Sequence, residues 1–142
     1  MSKLEENKAI ARRAFEEVWS QGKLDVIDEI YATDFIYQAP TGEIRGLEGF
    51  KQLVTMYRNA FPDLQFTIDD IFAEGNRAVV RWTFRGTHKG QSPGFGIPRT
   101  GKQISFSGVS IYHMVGGKIV EEWSTMDTLG MLKQLGVTPP VG

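Results

Sequence analysis

The spacing of hydrophobic residues changes from a helical to a strand period near Leu64. Before that point they recur every three or four positions, the period of an amphipathic helix, and a capping-box pattern, Ser2 with Glu5, marks the start of the first helix. A brief strand, Asp34 to Gln38, is predicted after the second helix. The apolar faces of the three predicted helices are Ala11, Ala14, Phe15, Val18 and Trp19; Leu24, Ile27, Ile30 and Tyr31; and Leu47, Phe50, Val54, Tyr57 and Phe61.

From Leu64 onwards hydrophobic and polar residues alternate, which predicts strands with one buried face. Turns centred on glycine, at 75–76 and 116–117, separate the strands, and an irregularity near Asp70 predicts a bulge. Asp127 begins a final helix, and Gln91 to Thr100 is predicted to be a loop that acts as a lid. The shared faces of two strands are Ala78, Val80, Trp82, Phe84 and His88, and Ile104, Phe106, Gly108, Ser110, Tyr112 and Met114.

Three helices and a brief strand followed by a meander predict the α+β class. We expect one domain over residues 1–142, a cone-shaped curved antiparallel sheet wrapped around the three N-terminal helices, with a short C-terminal helix. The chain is long enough to bury a core without covalent cross-links. The outer side of the sheet mixes apolar with polar residues, which predicts a homodimer.

Charge and composition remove several classes of function. The 16 basic and 17 acidic residues are spread along the chain, so no basic stripe favours a nucleic-acid or membrane partner. The absence of cysteine excludes disulfides and thiolate chemistry. A charged N-terminus without an apolar core predicts a cytoplasmic location. The two histidines, His88 and His113, have no spacing that pairs them, so we expect no metal, and no motif indicates a cofactor.

Three side chains are candidates for acid/base chemistry. Asp127 can act as a general base or simply cap the final helix. His88 ends a strand beside Trp82 and Phe84 and can enter a cavity, or bond to backbone at the edge of a loop. Glu122 is a carboxylate in an apolar lining if its face of the last strand is concave, and an ordinary surface residue if that face is convex. Alternation alone does not choose between these faces.

An aromatic stripe on the predicted sheet can line a pocket for a flat, mostly apolar ligand, although such stripes are more often plain core. Tyr112 stands out because a buried hydroxyl needs a partner and can donate to a carbonyl. The residues expected to bind substrate are Trp82, Phe84, Phe106, Ser110, Tyr112, Met114 and Ser124.

Three segments carry a resemblance to a known family. They read FPDLQFTIDDIFAEGNRAVVRWTFRGTHKGQ, GIPRTGKQISFSG and GGKIVEEWSTMDTLGMLKQLG. These segments occur in the order and near the spacing of the SnoaL-like polyketide cyclase (ester cyclase) family, which the chain resembles over roughly Glu6 to Gly136. That family is part of the larger set of folds similar to nuclear transport factor 2. The resemblance implies a cone with a deep pocket for a small molecule.

The same resemblance identifies two departures from the family and one match. The Asp that serves as acid/base for aldol ring closure in characterised members falls on Ser124, and a pocket His falls near Ser110. His88, in GTHKG, matches a family histidine. The alignment favours an inward Glu122, since it lies on the face of Ser124.

Three functions stay open from these residues. The first is cofactor-free acid/base chemistry, an aldol cyclisation or a hydrolysis, on an apolar or aromatic carbonyl compound. The second is binding of such a compound without turnover, and the third is a dimeric scaffold whose cavity is filled core. The Ser at position 124 favours the last two over aldol cyclisation, whereas His88 and the nearby acids keep the first open.

Overall fold

The computed structural model describes residues 2–90 and 97–137. Within those residues the chain forms four α-helices and six strands. The helices are α1 (Lys3–Arg13), α2 (Leu24–Ile30), α3 (Leu47–Ala60) and α4 (Thr128–Gln134), and α1 continues as a π-helical segment, Ala14–Ser20. The strands are β1 (Tyr31–Ala39), β2 (Gly42–Arg45), β3 (Gln65–Glu74), β4 (Arg77–Thr87), β5 (Gln103–Val115) and β6 (Lys118–Met126).

The strands form one curved sheet in the order β2-β1-β6-β5-β4-β3. The antiparallel meander from β3 to β6 confirms the prediction, as do the α+β class and the short C-terminal helix. The sheet is mixed, however, because β1 pairs with β6 in parallel, with Tyr37 opposite Glu122. Strand β1 begins at Tyr31, whereas the hydrophobic periodicity predicts Tyr31 as part of the second helix. Strand β2, which forms a hairpin with β1, is not predicted by the sequence pattern.

The faces predicted for β4 and β5 are confirmed by burial. In β4 the side chains of Ala78, Val80, Trp82 and Phe84 are buried, whereas Arg77, Arg81 and Arg85 are exposed. The inner face carries the aromatic core and receives the π-helical segment and α1. Arg58 of α3 fixes the end of that segment by donating to the carbonyl oxygens of Trp19 and Ser20, at 2.7 and 3.0 Å.

Two β-bulges change which residues point inward. One lies between Ile68 and Asp70 of β3, where the alternation predicted an irregularity. The other lies between β5 and β6, because His113 pairs with Glu121 whereas the next residue of β5 pairs with Ile119. The extra residue of β6 places Ile119 and Glu122 on the same, inner face, so a strict alternation does not hold across it.

Two segments of the chain lie wholly or partly outside the described residues. Most of the predicted lid, residues 91–96, and the tail from residue 138 onward are not described. Among the helices of the described residues, none has the length and apolar content needed to cross a membrane.

Candidate functional site

A small cavity lies between the inner face of the sheet and the N-terminal helical segment. Its volume is about 30 Å³, and most of its wall is aromatic. A cavity of that size holds one or two water molecules, or one small polar group of a ligand. The side chains that line it are Phe15, Trp19, Tyr37, Tyr57, Phe66, Trp82, Phe84, Phe106, Ser110, Glu122, Ser124 and Met126.

Four of the lining residues form a chain of hydrogen bonds across β4, β5 and β6. The indole N–H of Trp82 donates to Oγ of Ser110 at 3.0 Å, and the hydroxyls of Ser110 and Ser124 are 2.7 Å apart. Ser124 donates its only hydroxyl proton to Oε2 of Glu122 at 2.7 Å, so Ser110 must be the donor to Ser124. Every donor in this chain therefore points toward the carboxylate.

Glu122 is a buried carboxyl group with one unpartnered oxygen. Its exposed fraction is 2%, and no cationic side chain of the described residues forms an ion pair with it. Among the same residues, Oε1 of Glu122 has no hydrogen-bond partner. Burial raises the pKa of Glu122 to about 7, although the serine hydroxyls partly oppose that shift. At neutral pH the group therefore holds its proton far more firmly than an exposed glutamate does.

Three tyrosines surround this carboxyl group. Tyr112 is its direct cross-strand neighbour, Tyr37 is opposite it on β1, and Tyr31 lies at the start of β1. Burial and, second, the charge of Glu122 raise the pKa of each of these phenols. The hydroxyls of Tyr31 and Tyr112 are unpartnered among the described residues. They therefore remain neutral donors in the same buried region as the acid.

The structure brings together most of the residues expected to bind a ligand. Trp82, Phe84, Phe106, Ser110 and Ser124 line the cavity. Two others, Tyr112 and Met114, share their face but are buried away from the cavity wall. Of the three acid/base candidates only Glu122 is at the cavity.

His88 is placed elsewhere in the fold. Its ring is fully buried against Phe61, with the ring centres 5.3 Å apart. Nδ1 accepts a hydrogen bond from the backbone N–H of Thr100 at 3.2 Å and lies 3.0 Å from its hydroxyl. The ring proton is then on Nε2, and burial lowers the pKa of the imidazole. These contacts join the end of β4 to the segment before β5.

The register of the sheet separates His88 from Glu122. Ala78 and Glu122 both pair with Tyr112, from β4 and β6 respectively. His88 follows Ala78 by ten residues, and the last residue of β4 that lines the cavity together with Glu122 is Phe84, four residues before His88. The two groups do not converge on one ligand atom in this geometry, and a catalytic role for His88 stays a prediction.

Asp127 caps α4. Its Oδ1 accepts a hydrogen bond from the backbone N–H of Gly130 at 2.9 Å, and the residue is exposed. It does not line the cavity, although the preceding residue, Met126, does. The geometry favours the capping interpretation of Asp127, and its role as a general base stays a prediction.

Several lining residues were not identified as site residues from sequence. Phe15 and Trp19 were placed on the correct buried face of the first helix, but nothing in their spacing distinguished cavity wall from core. Tyr37 reaches the cavity through the parallel pairing of β1 with β6, which no local pattern reports. No group of three or more His, Asp or Glu side chains in the described residues is placed to hold a metal ion.

Comparison with known proteins agrees with this fold. The family described as SnoaL-like polyketide cyclase matches residues 9–135. Aklanonic acid methyl ester cyclase DnrD from Streptomyces peucetius is 30% identical over 129 residues, which cover 87% of each chain.

Two solved structures extend the similarity. TsrD from Streptomyces laurentii has a TM-score of 0.85 at 27% identity, over 97% of this chain and 99% of that one. A protein from Acidithiobacillus ferrooxidans, provisionally named a polyketide cyclase, has a TM-score of 0.80 at 36% identity, over 96% and 98%. The chain therefore belongs to the SnoaL-like polyketide cyclase family, as its sequence motifs indicate.

Proposed function

We propose that this member of the family performs cofactor-free acid/base chemistry on an apolar carbonyl compound, with Glu122 as the base. The relative named aklanonic acid methyl ester cyclase acts, by its name, on a methyl ester. A ketone or ester with an aromatic or aliphatic body suits the largely aromatic wall around Glu122. The reaction is an aldol-type cyclisation or, with water as the nucleophile, a hydrolysis.

The burial of Glu122 beside the cavity is the observation that carries this proposal. An ionised carboxylate in apolar surroundings without a cation is costly to the folded state. Serine hydroxyls offset part of that cost, but an apolar residue at the same position would avoid it altogether. Carboxyl groups with raised pKa values at a cavity are typical of catalytic sites.

The geometry supports a simple division of roles. Ionised Glu122 removes a proton from the carbon next to the substrate carbonyl, for which a pKa near the working pH is favourable. Ser124 and Ser110 hold the carboxylate in one orientation through the chain of hydrogen bonds. Tyr37 and Tyr57 are lining residues with O–H groups able to donate to the oxygen that becomes negative.

The test compares two isosteric variants on one strand. Glu122→Gln removes the base, whereas Glu121→Gln changes the neighbouring acid, which accepts a hydrogen bond from Gln38 and lies on the other face. Both are assayed for proton exchange and turnover against a panel of aromatic ketones and esters found by thermal shift. We expect Glu122→Gln to lose about 100-fold or more in turnover while keeping ligand affinity. Equal activity of both variants would contradict the role of Glu122.

Binding without turnover is the second candidate. The resemblance to the family implies that Ser124 stands at the position of its acid, and a cavity of about 30 Å³ holds only a small part of a ligand. If the protein only binds its ligand, the wild type, Glu122→Gln and Glu121→Gln should all bind the stabilising compound, and none of the three should convert it.

A homodimer through the outer face of the sheet is also proposed. Four apolar side chains, each paired with the next across the strands, run over this face from β3 to β6. They are Phe72, Val79, Ile111 and Trp123. Phe72 is 55% exposed, and Arg77 lies 5.2 Å from the ring centre of Trp123. Light scattering tests this: Ile111→Lys should yield a monomer, and a monomeric wild type would exclude the dimer.

A further inference from the structure

A second space adjoins the cavity of Glu122. It is a cleft of about 130 Å³ between the β1–β2 hairpin, α3 and α4. The turn at residues 40–44, Leu53 and Met131 contribute to its wall. Three residues, Tyr37, Tyr57 and Met126, line both the inner cavity and this outer cleft. They therefore form the partition between the two spaces.

The sizes of the two spaces limit what can reach Glu122. The inner cavity has room for little more than one carbonyl or hydroxyl group. The rest of any larger ligand must lie on the other side of the partition, where the outer cleft is about four times as large. This cleft is mostly apolar in its side chains, with Ile44, Leu53 and Met131 contributing.

We infer that the outer cleft is a binding subsite for the apolar tail of an elongated ligand, whose polar carbonyl head passes the partition to reach Glu122. The assignment of the head to Glu122 rests on the proposed function, whereas the assignment of the tail rests on the shape of the molecule alone. Tyr37, Tyr57 and Met126 then determine specificity, because they set the width of the passage.

The three partition residues differ in how firmly they are held. The ring of Tyr57 meets that of Trp19 edge-on at 5.7 Å, and the ring of Tyr37 lies 5.7 Å from that of Phe50. Met126 ends β6, is only partly buried and has an unbranched side chain that adapts its shape easily. Met126 is therefore the part of the partition that yields to a ligand.

The absence of cysteine allows a test that needs no knowledge of the natural ligand. Leu53→Cys places a single thiol in the outer cleft, and methyl or hexyl methanethiosulfonate then attaches a short or a long alkyl chain. We expect the hexyl adduct to pass Met126, to shift the emission of Trp19 and Trp82, and to raise the melting temperature above that of the methyl adduct.

Two variants make the result specific. Met56→Cys is the matched control, since Met56 is three residues further along α3 and 44% exposed. Its two adducts should have the same emission. In the Leu53→Cys background, Met126→Phe should narrow the passage and abolish the emission shift of the hexyl adduct, whereas the higher melting temperature, which comes from burial in the outer cleft, should remain.

Three outcomes would overturn the inference: hexyl and methyl adducts at position 53 that behave alike, an equal effect at position 56, or an emission shift that survives Met126→Phe unchanged. None of these bears on catalysis by Glu122. Conversely, an inactive wild type on every ketone and ester would contradict the proposed function while leaving the expected tether result intact.

Discussion

The hydroxyl of Ser124 lies 2.7 Å from Oε2 of Glu122, two residues earlier on the same face of β6. The hydroxyl thus binds the carboxyl group of the preceding inward-facing residue of the strand. Because Ser124 donates to the ionised form, it stabilises the carboxylate against the burial that favours its protonation. The pair places a titratable carboxyl group and the hydroxyl that orients it at the cavity wall.

The first prediction concerns stability against pH. With a pKa of about 7 in the folded protein and an ordinary value of 4.5, Glu122 binds its proton more tightly when folded. The contribution of Glu122 to the free energy of unfolding should therefore fall as pH rises from about 4.5 to about 7, by about 3 kcal/mol in total. Urea denaturation of the wild type and Glu122→Gln at several pH values measures the difference.

The test depends on the sign of the difference in unfolding free energy between the wild type and Glu122→Gln. Relative to the wild type, Glu122→Gln should gain stability across this interval and keep the gain at higher pH. Glu121→Gln, on the outer face, is the control and should follow the wild type. A wild type that becomes more stable relative to Glu122→Gln as pH rises would mean that Glu122 is stabilised as an anion.

The second prediction concerns the serine hydroxyl. Ser124→Ala removes a donor to the carboxylate, so the pKa of Glu122 should rise further. A hydrogen bond to a charged group contributes about 1.5–3 kcal/mol, which corresponds to about one to two pH units in the midpoint. The pH dependence of turnover or of stability reports that midpoint. Ser107→Ala, an exposed serine on β5, should leave it in place; a midpoint that falls in Ser124→Ala would contradict the assigned direction of the bond.

The third prediction separates the two interpretations of Asp127. As the N-cap of α4, its replacement by Ala should cost about 1 kcal/mol of stability, whereas Asp127→Asn should cost only a few tenths. Both variants should keep the turnover of the wild type once folded. If Asp127→Asn instead loses turnover with no loss of stability, Asp127 acts as the base.

The fourth prediction concerns His88. His88→Phe keeps a ring against Phe61 but removes the acceptor of the Thr100 N–H, so it should cost about 1–2 kcal/mol. Burial lowers the pKa of the folded imidazole below its ordinary value of 6.5, so this contribution is present above pH 6.5 and declines as pH falls. Thermal unfolding at pH 8 and pH 5 tests it: the gap between wild type and variant should narrow at pH 5.

The sequence predicted the parts of the fold that depend on local pattern. Alternation in β4 and β5 identified the inner face correctly, and Asp70 marked the bulge of β3. The choice between Glu121 and Glu122 depended instead on the bulge opposite His113, which alternation does not reveal. The family alignment favoured Glu122 because Ser124 lies on the same face, and burial agrees with it.

The pairing of strands distant in sequence and the position of the cavity could not be predicted from the sequence pattern. Tyr37 meets Glu122 only because β1 pairs with a strand more than eighty residues later. Tyr112 and Met114 share a face with Ser110 yet lie away from the cavity, since a periodicity reports which side of a strand is buried and not where the core is incompletely filled. His88 is likewise buried on the inner face, but it is not among the residues that line the cavity with Glu122.

The central claim, that Glu122 is a buried acid poised near neutrality, is tested most directly by carbon-detected NMR of the glutamate carboxyl groups from pH 4 to pH 9. The resonance absent from Glu122→Gln identifies the group. A midpoint of about 7 is the expected result. A midpoint at or below the ordinary value of 4.5 would show that the carboxyl is solvated or paired with a cation, and would contradict its role as the base.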